Sequence, residues 1–216
     1  VCNGWFADNW LPIITKKRLY KVRAKQTIMC TGSLEQPAIF HNNDLPGIMM
    51  SSAAQRLVHL YGVRPGSQAV IVTGNNDGYG TALDLDDAGV KINAIVDLRE
   101  DPNYDDIAKA AVDRGIRVET GTTVYAAKHK GANRVSSVDI RKIVSQGICA
   151  EQGETITCDL LCMSVGYTPT YQLACQAGGQ LTYDDQSAMF SLRNCPESLQ
   201  LAGSVNSLWS LDAVLM

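Results

Sequence analysis

Residues 66–89 constrain the fold of this chain most strongly, because a strand pattern changes there to a helix pattern within a few residues. Residues 69–72 are apolar and mostly β-branched, which predicts a buried strand. Small and turn-forming residues follow, and apolar positions at helical spacing then continue to Gly89, a residue suited to the end of a helix. A tight turn between a strand and a helix leaves backbone N–H groups where a phosphate can bind.

A second apolar strand, residues 92–96, follows the predicted helix and runs into Asp97. A carboxylate at the end of this strand can accept hydrogen bonds from the hydroxyls of an adenosine ribose. A helix over residues 104–114 and a third strand over 116–118 extend the pattern to β-α-β-α-β, which is half of a doubly wound sheet. The layout therefore predicts an α/β fold with a Rossmann-type dinucleotide site.

The turn lacks the usual glycine fingerprint of such sites. In the alignment that the flanking strand and helix favour, the slots of G-x-G-x-x-G fall on Thr73, Asn75 and Gly78. A shift by one residue places Gly74 in the first slot, with Asn76 and Tyr79 in the other two. Asparagine tolerates positive φ better than most residues, so Asn75 can still form the turn, and its amide can reach a phosphate or a ribose. A plain strand-to-helix turn in an α/β sheet is the alternative interpretation.

The rest of the chain predicts short elements around this unit. Upstream, the expected elements are antiparallel strands at 11–15 and 19–23, a strand over 25–32, a loop over 33–50, and a helix over 49–61 capped by Ser51 or Ser52. Downstream, they are a strand over 122–127, an antiparallel meander of 135–144, 154–157 and 158–165, and a last strand over 199–202. Strand ends at Thr31-Gly32 and before Gly166 are places where the backbone can approach a ligand, although plain turns explain them too.

Composition excludes several classes of function. A net charge of −3 gives no electrostatic reason to expect nucleic acid or an anionic membrane as a partner. No apolar run is long enough to predict a transmembrane span. The seven cysteines include no C-x-x-C pair and the three histidines form no ligand set, so no metal site is predicted. Unpaired cysteines indicate a reducing compartment, and we expect a cytoplasmic protein.

Short motifs spread over nearly the whole chain carry a family resemblance. They are C-T-G-S-L-E-Q-P at 30–37, F-H-N-N-D-L-P-G at 40–47, T-G-N-N-D-G-Y at 73–79, T-A-L-D-L at 81–85, G-Y-T-P-T at 166–170, Q-A-G-G-Q-L at 176–181 and A-G at 202–203. Together they resemble the α subunit of heterotetrameric sarcosine oxidase and, more broadly, the two-dinucleotide flavoprotein reductases. A T-x-N-N-D-x-Y turn is that family's own substitute for the glycine fingerprint, so the resemblance accounts for the departure noted above.

The resemblance implies an FAD-type fold interrupted by an inserted NAD domain. Residues 1–62 and 166–216 would be pieces of the FAD-type domain, and 63–165 would be the Rossmann-like NAD-binding insert with its small antiparallel meander. The implied NAD contacts are Thr73, Gly74, Asn75, Asn76, Asp77, Gly78, Tyr79 and Asp97. Thr31, Gly32 and Gly203 would match the rim of the FAD site. That site also needs an N-terminal glycine turn that this sequence lacks, so we expect FAD in a full-length parent and not on this piece.

Three functions are consistent with these patterns. The first is an NAD-binding piece of a sarcosine-oxidase-like α subunit, itself inactive, whose partner subunits oxidise sarcosine or a similar secondary amine at flavin. The second is part of an NAD(P)H-dependent flavoprotein reductase. The third is a Rossmann-like scaffold for subunit assembly that has lost its ligand. Asp97 predicts NAD over NADP, because its carboxylate would repel the extra phosphate. Asp77 and Asp97 are better explained as a turn cap and a ribose acceptor than as an acid–base pair, so no catalytic residue is predicted.

Overall fold

The computed structural model describes residues 1–131, 133–184 and 189–215, which form two compact units. The first unit combines two separate stretches, Val1–Leu34 and Tyr167–Met216. The second unit is one continuous stretch, Glu35–Gly166. Both units contain helices and strands.

In chain order, strands β1 to β17 cover Trp10–Ile14, Leu19–Arg23, Thr27–Met29, Ser33–Glu35, Ile48–Met50, Gln68–Thr73, Lys91–Asp97, Val118–Glu119, Thr122–His129, Val135–Ser145, Ile148–Cys149, Glu154–Thr157, Leu160–Ser164, Tyr167–Pro169, Gln180–Asp184, Met189–Arg193 and Leu199–Leu201. Helices α1 to α5 cover Ser51–Tyr61, Asp77–Asp87, Asp106–Asp113, Gln172–Gln176 and Leu211–Leu215. Two 3-10 turns cover Ala7–Asn9 and Gly203–Asn206.

A five-stranded parallel sheet in the order β5-β13-β6-β7-β8 forms the centre of the second unit. Alternate residues of its strands enter two different apolar clusters, because successive side chains of a strand point to opposite faces. Ile71 of β6 belongs to a cluster with Leu85 of α2 and Ala108 of α3. Its neighbour Val72 belongs to a cluster with Val138 of β10. Helices therefore cover one face of the sheet and an antiparallel sheet covers the other.

The antiparallel layer consists of β9 to β12, in which β10 pairs with each of the other three strands. The prediction that residues 158–165 form the last strand of this meander is wrong. β13 lies instead between β5 and β6, with Leu161 opposite Ile48 on one side and Val70 on the other. All five of its residues are buried, which is the pattern of a parallel strand covered on both faces.

The beginning of the second unit also differs from the sequence-based expectation. Residues 33–50, predicted as a loop, contain β4 and β5. The N-cap of α1 is Met50, which makes no side-chain cap hydrogen bond, so the predicted serine cap is wrong. The Glu35 carboxylate instead accepts hydrogen bonds from the backbone N–H and the hydroxyl of Ser52, where a negative charge also favours the helix N-terminus. Both β5 and α1 thus lie within a unit that begins at Glu35, upstream of the boundary expected at residue 63.

The first unit is assembled from short pieces. β1 and β2 form the predicted antiparallel pair, and β17, predicted as the last strand, pairs in parallel with β3. β15 and β16 form an antiparallel pair that the sequence analysis did not predict. The buried core of the first unit consists of Trp5, Met29, Ala174, Leu199 and Val205. In the described ranges of both units, no helix combines the length and the apolar character needed to cross a membrane.

Candidate functional site

Three strand ends meet at the carboxyl edge of the parallel sheet. β6 ends at Thr73, and its register places Thr73 opposite Ser164 of β13 on one side and Asp97 of β7 on the other. All three residues are buried. Ligands of open α/β sheets bind outside this edge, so the turn that follows Thr73 is the candidate site.

Hydrogen bonds from Thr73 shape the turn between β6 and α2. The Thr73 hydroxyl donates to the backbone oxygen of Asn75 at 2.8 Å and accepts from the Asn75 N–H at 3.2 Å. It also lies 3.1 Å from the backbone oxygen of Ser164. A threonine in the first fingerprint slot therefore forms the tight turn through its hydroxyl, where the usual motif relies on a glycine.

The Asn75 side chain is half-buried and is held by hydrogen bonds within this turn. Its Oδ1 accepts hydrogen bonds from the Asp77 N–H and the Ser164 hydroxyl, both at 3.1 Å. Its Nδ2 donates to no residue in the part of the chain that the structure describes. Because Oδ1 is fixed by these donors, the two N–H groups of Nδ2 remain as donors for an external acceptor such as a phosphate oxygen.

Two glycines allow the close approach of neighbouring backbone. A Cβ at Gly78, in the first turn of α2, would lie 2.5 Å from the Cβ of Thr73. A Cβ at Gly74 would lie 2.8 Å from the backbone oxygen of Val165. Gly78 thus does what the third glycine of the fingerprint does, since it lets the helix start directly against the end of the strand.

Asp97 is fully buried, with a side chain that is 0% exposed. Its Oδ1 accepts from the N–H and the Nε of Arg99, both at 3.0 Å. Its Oδ2 accepts from the Tyr79 hydroxyl at 2.8 Å and from the Nη2 of Arg99 at 2.7 Å. Each carboxylate oxygen therefore already has two donors, and the predicted ribose acceptor meets its partners within the chain.

Tyr79 is enclosed beneath the turn and is 0% exposed. Its ring lies edge-on to Tyr104 with centroids 5.3 Å apart. Burial, together with hydrogen bonds to Tyr104 and Asp97, raises the pKa of Tyr79 far above its usual value, so it is a neutral donor. A direct contact with a ligand, as the sequence analysis expected, would require this side chain to leave its pocket.

Asn76 and Asp77 complete the start of α2. Asn76 is the N-cap residue, and its side chain bridges outward, because Nδ2 donates to the backbone oxygen of Asn103 and Oδ1 accepts from the Nη2 of Arg99 at 2.9 Å. Asp77 is the first residue of α2, and its backbone oxygen accepts from the hydroxyl of Thr81.

The remaining predicted site residues lie elsewhere in the fold. In the first unit, the Thr31 hydroxyl donates to the backbone oxygen of Thr170, and the Gly32 oxygen accepts from the Thr170 N–H and hydroxyl. Gly32 and Gly203 both have φ near +76°, and a Cβ at Gly32 would lie 3.9 Å from the Ser204 hydroxyl oxygen, so the two loops are neighbours. Gly166 ends the second unit, and its backbone oxygen accepts from the Gln36 N–H.

The donor set at the turn fits a dinucleotide phosphate. An amide nitrogen with no acceptor among the described residues, a helix N-terminus and a glycine-permitted close approach are what such a group needs. Sequence reasoning missed Arg99, which ties Asp97 to Asn76, and Ser164, which orients Asn75. The signal for Arg99 was its place two residues after Asp97, since an aspartate side chain often accepts from the backbone N–H two residues further on.

Comparison with known proteins locates these features in a family. No family model matches the chain. It is 33% identical over 199 residues to sarcosine oxidase subunit alpha of Rhizobium meliloti (strain 1021) and 31% identical over 204 residues to that of Corynebacterium sp. (strain P-1). The chain is a relative of sarcosine oxidase subunit alpha. The resemblance predicted from the motifs is confirmed.

The alignments cover 92% and 94% of this chain, but only 19% and 20% of the two sarcosine oxidase subunits. The chain thus spans about a fifth of the length of the curated relatives it matches. What those subunits do as whole proteins extends beyond the part that is compared.

Solved structures show the same architecture. L-proline dehydrogenase from P. horikoshii matches with a TM-score of 0.65 at 20% identity, over 95% of this chain and 36% of that one. Thioredoxin reductase from T. acidophilum matches with a TM-score of 0.70 at 17% identity, over 94% of this chain and 64% of that one. The predicted α/β fold with a Rossmann-type parallel sheet is confirmed.

Proposed function

We propose that the second unit binds a nicotinamide dinucleotide, NAD, with its pyrophosphate on the turn between β6 and α2. The observation that carries this proposal is the Asn75 side chain, whose oxygen is fixed from within while its Nδ2 is left as a donor at the sheet's carboxyl edge. Gly74 and Gly78 support it by letting the turn pack directly against Val165 and Thr73, and the N-terminus of α2 favours negative charge.

In this proposal the chain is the nucleotide-binding part of a larger sarcosine-oxidase-like oxidoreductase. Both aligned relatives are named sarcosine oxidase subunit alpha, which supports an oxidase whose substrate is sarcosine or a similar secondary amine. The word subunit in these names suggests that other subunits are its partners. FAD would belong to the full-length protein, near the loops of Thr31, Gly32 and Gly203. The seven cysteines are all unpaired, which supports a cytoplasmic location. When bound, the nicotinamide supplies hydride-transfer chemistry, and the role of the residues described here is to bind and orient it.

An isosteric substitution tests the binding site. Asn75→Asp keeps an oxygen for the Asp77 N–H and the Ser164 hydroxyl, but it replaces the Nδ2 donor by a negative oxygen. Titration calorimetry on the full chain should show NAD affinity reduced by about tenfold to a hundredfold, the cost of a lost charge-assisted hydrogen bond. Gln152→Glu, which adds the same charge on an exposed residue of the same unit, should leave the affinity unchanged. Equal affinity for the wild type and Asn75→Asp would place the phosphates elsewhere.

A second candidate function is a Rossmann-like scaffold for subunit assembly that binds no nucleotide. The closed network around Asp97 favours it, because Tyr79 and Arg99 already occupy all its acceptor positions. Absence of any heat of binding with NAD and NADP at millimolar concentration would support the scaffold. Where a nucleotide does bind, stopped-flow mixing of the flavin-loaded full-length protein with NADH separates an oxidase subunit from a reductase, since rapid flavin bleaching is expected only for the reductase.

A further inference from the structure

Positive charge is concentrated in the hairpin that β1 and β2 form in the first unit. Residues 10–25, the basic hairpin, contain six cationic residues and no acidic one. All six are exposed: Lys16, Lys17, Arg18, Lys21, Arg23 and Lys25. Because the net charge of the chain is −3, the residues outside the basic hairpin together carry −9. The basic hairpin therefore has the opposite sign of charge to the rest of the chain.

Ion pairs within the chain do not account for this charge. In the described ranges, only Arg23 among the six cations forms an ion pair, with Asp8 at 3.7 Å, and both of these side chains are largely exposed. Exposed pairs of this kind contribute little to stability. Lys21 lies instead over the ring of Trp10, with its Nζ 5.8 Å from the ring centroid. The cations are thus left to face solvent or another molecule.

Neither face of β2 is covered. All five of its residues are exposed, whereas a strand in an antiparallel sheet commonly packs one face on a core. Leu19, Tyr20 and Val22 are 57%, 45% and 36% exposed, and they alternate with the cations. In the described part of the chain β2 pairs only with β1, and a two-stranded hairpin has little stability of its own in water. Apolar side chains grouped in this way are typical of a surface that another protein covers.

One face of the basic hairpin combines aromatic rings with cations. The antiparallel register places Trp10 opposite Arg23 and Pro12 opposite Lys21, and residues directly opposite each other share a face. Trp10 also stacks on Phe6, with ring centroids 4.5 Å apart. Tryptophan, tyrosine and arginine are enriched among the residues that contribute most to binding at protein interfaces. The composition of this face therefore favours a protein as its partner.

We propose that the basic hairpin is an interaction surface that docks against an acidic surface of another protein subunit. Complementary charge gives such a contact its register and a high rate of association, and the aromatic residues supply its apolar part. A long polyanion such as a nucleic acid fits less well, because it would extend past the hairpin to residues that together carry −9. This inference rests on the proposed partner subunits, but not on nucleotide binding.

Zero-length cross-linking tests the proposal on the full-length protein assembled with its other subunits. A water-soluble carbodiimide joins a lysine amine only to a carboxylate in direct contact, so mass spectrometry of the product identifies both residues. Lysines of the basic hairpin should link to aspartates or glutamates of another subunit. Their acetylation by acetic anhydride, which is expected in the free chain, should be lost on assembly. Lys91 is the reference, because it is exposed, lies in the second unit and forms no ion pair in the described ranges.

Charge reversal gives a second measurement with a matched control. Lys21→Glu should weaken assembly by at least about tenfold, because like charges facing each other across an interface repel strongly. Lys21→Arg, which keeps the charge, and Lys91→Glu, which makes the same reversal outside the basic hairpin, should assemble as the wild type does.

Hairpin lysines that react equally in the free and the assembled protein, or assembly that Lys21→Glu and Lys91→Glu weaken equally, would overturn the inference while leaving the partner subunits in place. Binding of the chain to single-stranded DNA or to phosphatidylserine vesicles, in place of this protection and lost in Lys21→Glu, would assign the surface to a nucleic acid or a membrane and would likewise overturn it. A full-length protein that assembles with no other subunit would overturn the proposed partners, and this inference with them.

Discussion

At the scale of single residues, the Tyr79 hydroxyl is the buried group whose loss should be easiest to measure. It donates to a carboxylate oxygen that is closed to solvent, at 2.8 Å. Tyr79→Phe removes the donor but keeps the ring against Tyr104. Because the bond is to a charged acceptor, the substitution should lower the free energy of unfolding by about 1.5–3 kcal/mol at pH 7, measured by urea denaturation.

The same residue predicts a dependence on pH with a definite sign. Folding raises the pKa of Tyr79 above its ordinary value of 10.0, so its stabilising contribution is complete below pH 10 and is lost as the pH rises above it. Tyr79→Phe lacks this loss, and the stability gap between wild type and variant should therefore narrow above pH 10. Burial also raises the pKa of Cys158 and Cys162 to about 12, but these thiols are present in both proteins and cancel in the difference. A gap that stays constant up to pH 11.5 would contradict the burial and hydrogen bonding of the Tyr79 hydroxyl.

At the scale of elements, two glycines of α2 provide a matched pair. A Cβ at Gly78 would lie 2.5 Å from Thr73, whereas a Cβ at Gly80 would meet only Ile107 at an ordinary 3.6 Å. Gly78→Ala should destabilise the protein by about 1–3 kcal/mol, because the helix must move away from the strand. Gly80→Ala should stabilise it by about 0.5–1 kcal/mol, the usual gain of alanine over glycine inside a helix. Thermal unfolding of both variants measures the difference, and equal effects would show that α2 does not start against Thr73.

The elements that the sequence predicted well are those whose apolar residues follow a clear strand or helix pattern. β6, α2 and β7 follow one another as an apolar run, a helical pattern and a second apolar run, so their type and order could be derived without tertiary information. β13 could not be placed in this way. The apolar run of residues 160–163 indicates that both faces of the strand are covered, but nothing local states which strands lie beside it.

The candidate site was predictable to a similar extent. Sequence spacing located Asn75 and Asp97 at the carboxyl edge, because strand ends of a parallel sheet share that edge. It could not show that Asp97 is engaged by Arg99, since a carboxylate in that position reads the same whether its partner is a ribose or a neighbouring guanidinium. Side-chain competition of this kind depends on three-dimensional contacts between residues that are themselves unremarkable in the sequence.

At the scale of the whole molecule, the two compact units differ in how the chain forms them. The first unit needs two stretches that are separated by more than a hundred residues, whereas the second is continuous from Glu35 to Gly166. The continuous stretch of the second unit contains every strand of its parallel sheet and of its antiparallel sheet. It should therefore fold when expressed alone, and the first unit supplies none of its sheet partners.

This reasoning gives a prediction about where the second unit begins. A chain of residues 35–166 keeps β5 and α1, while one of residues 63–165 lacks both. Loss of β5 leaves β13 as an unpaired edge strand, and loss of α1 removes Ala54 from its apolar cluster and uncovers Leu160. We expect residues 35–166 to unfold cooperatively, and residues 63–165 to melt at least about 10 °C lower or to aggregate. Differential scanning calorimetry of the two chains beside the full-length chain makes the comparison. Equal melting temperatures would instead show that β5 and α1 are dispensable to the unit, and would place its boundary near residue 63.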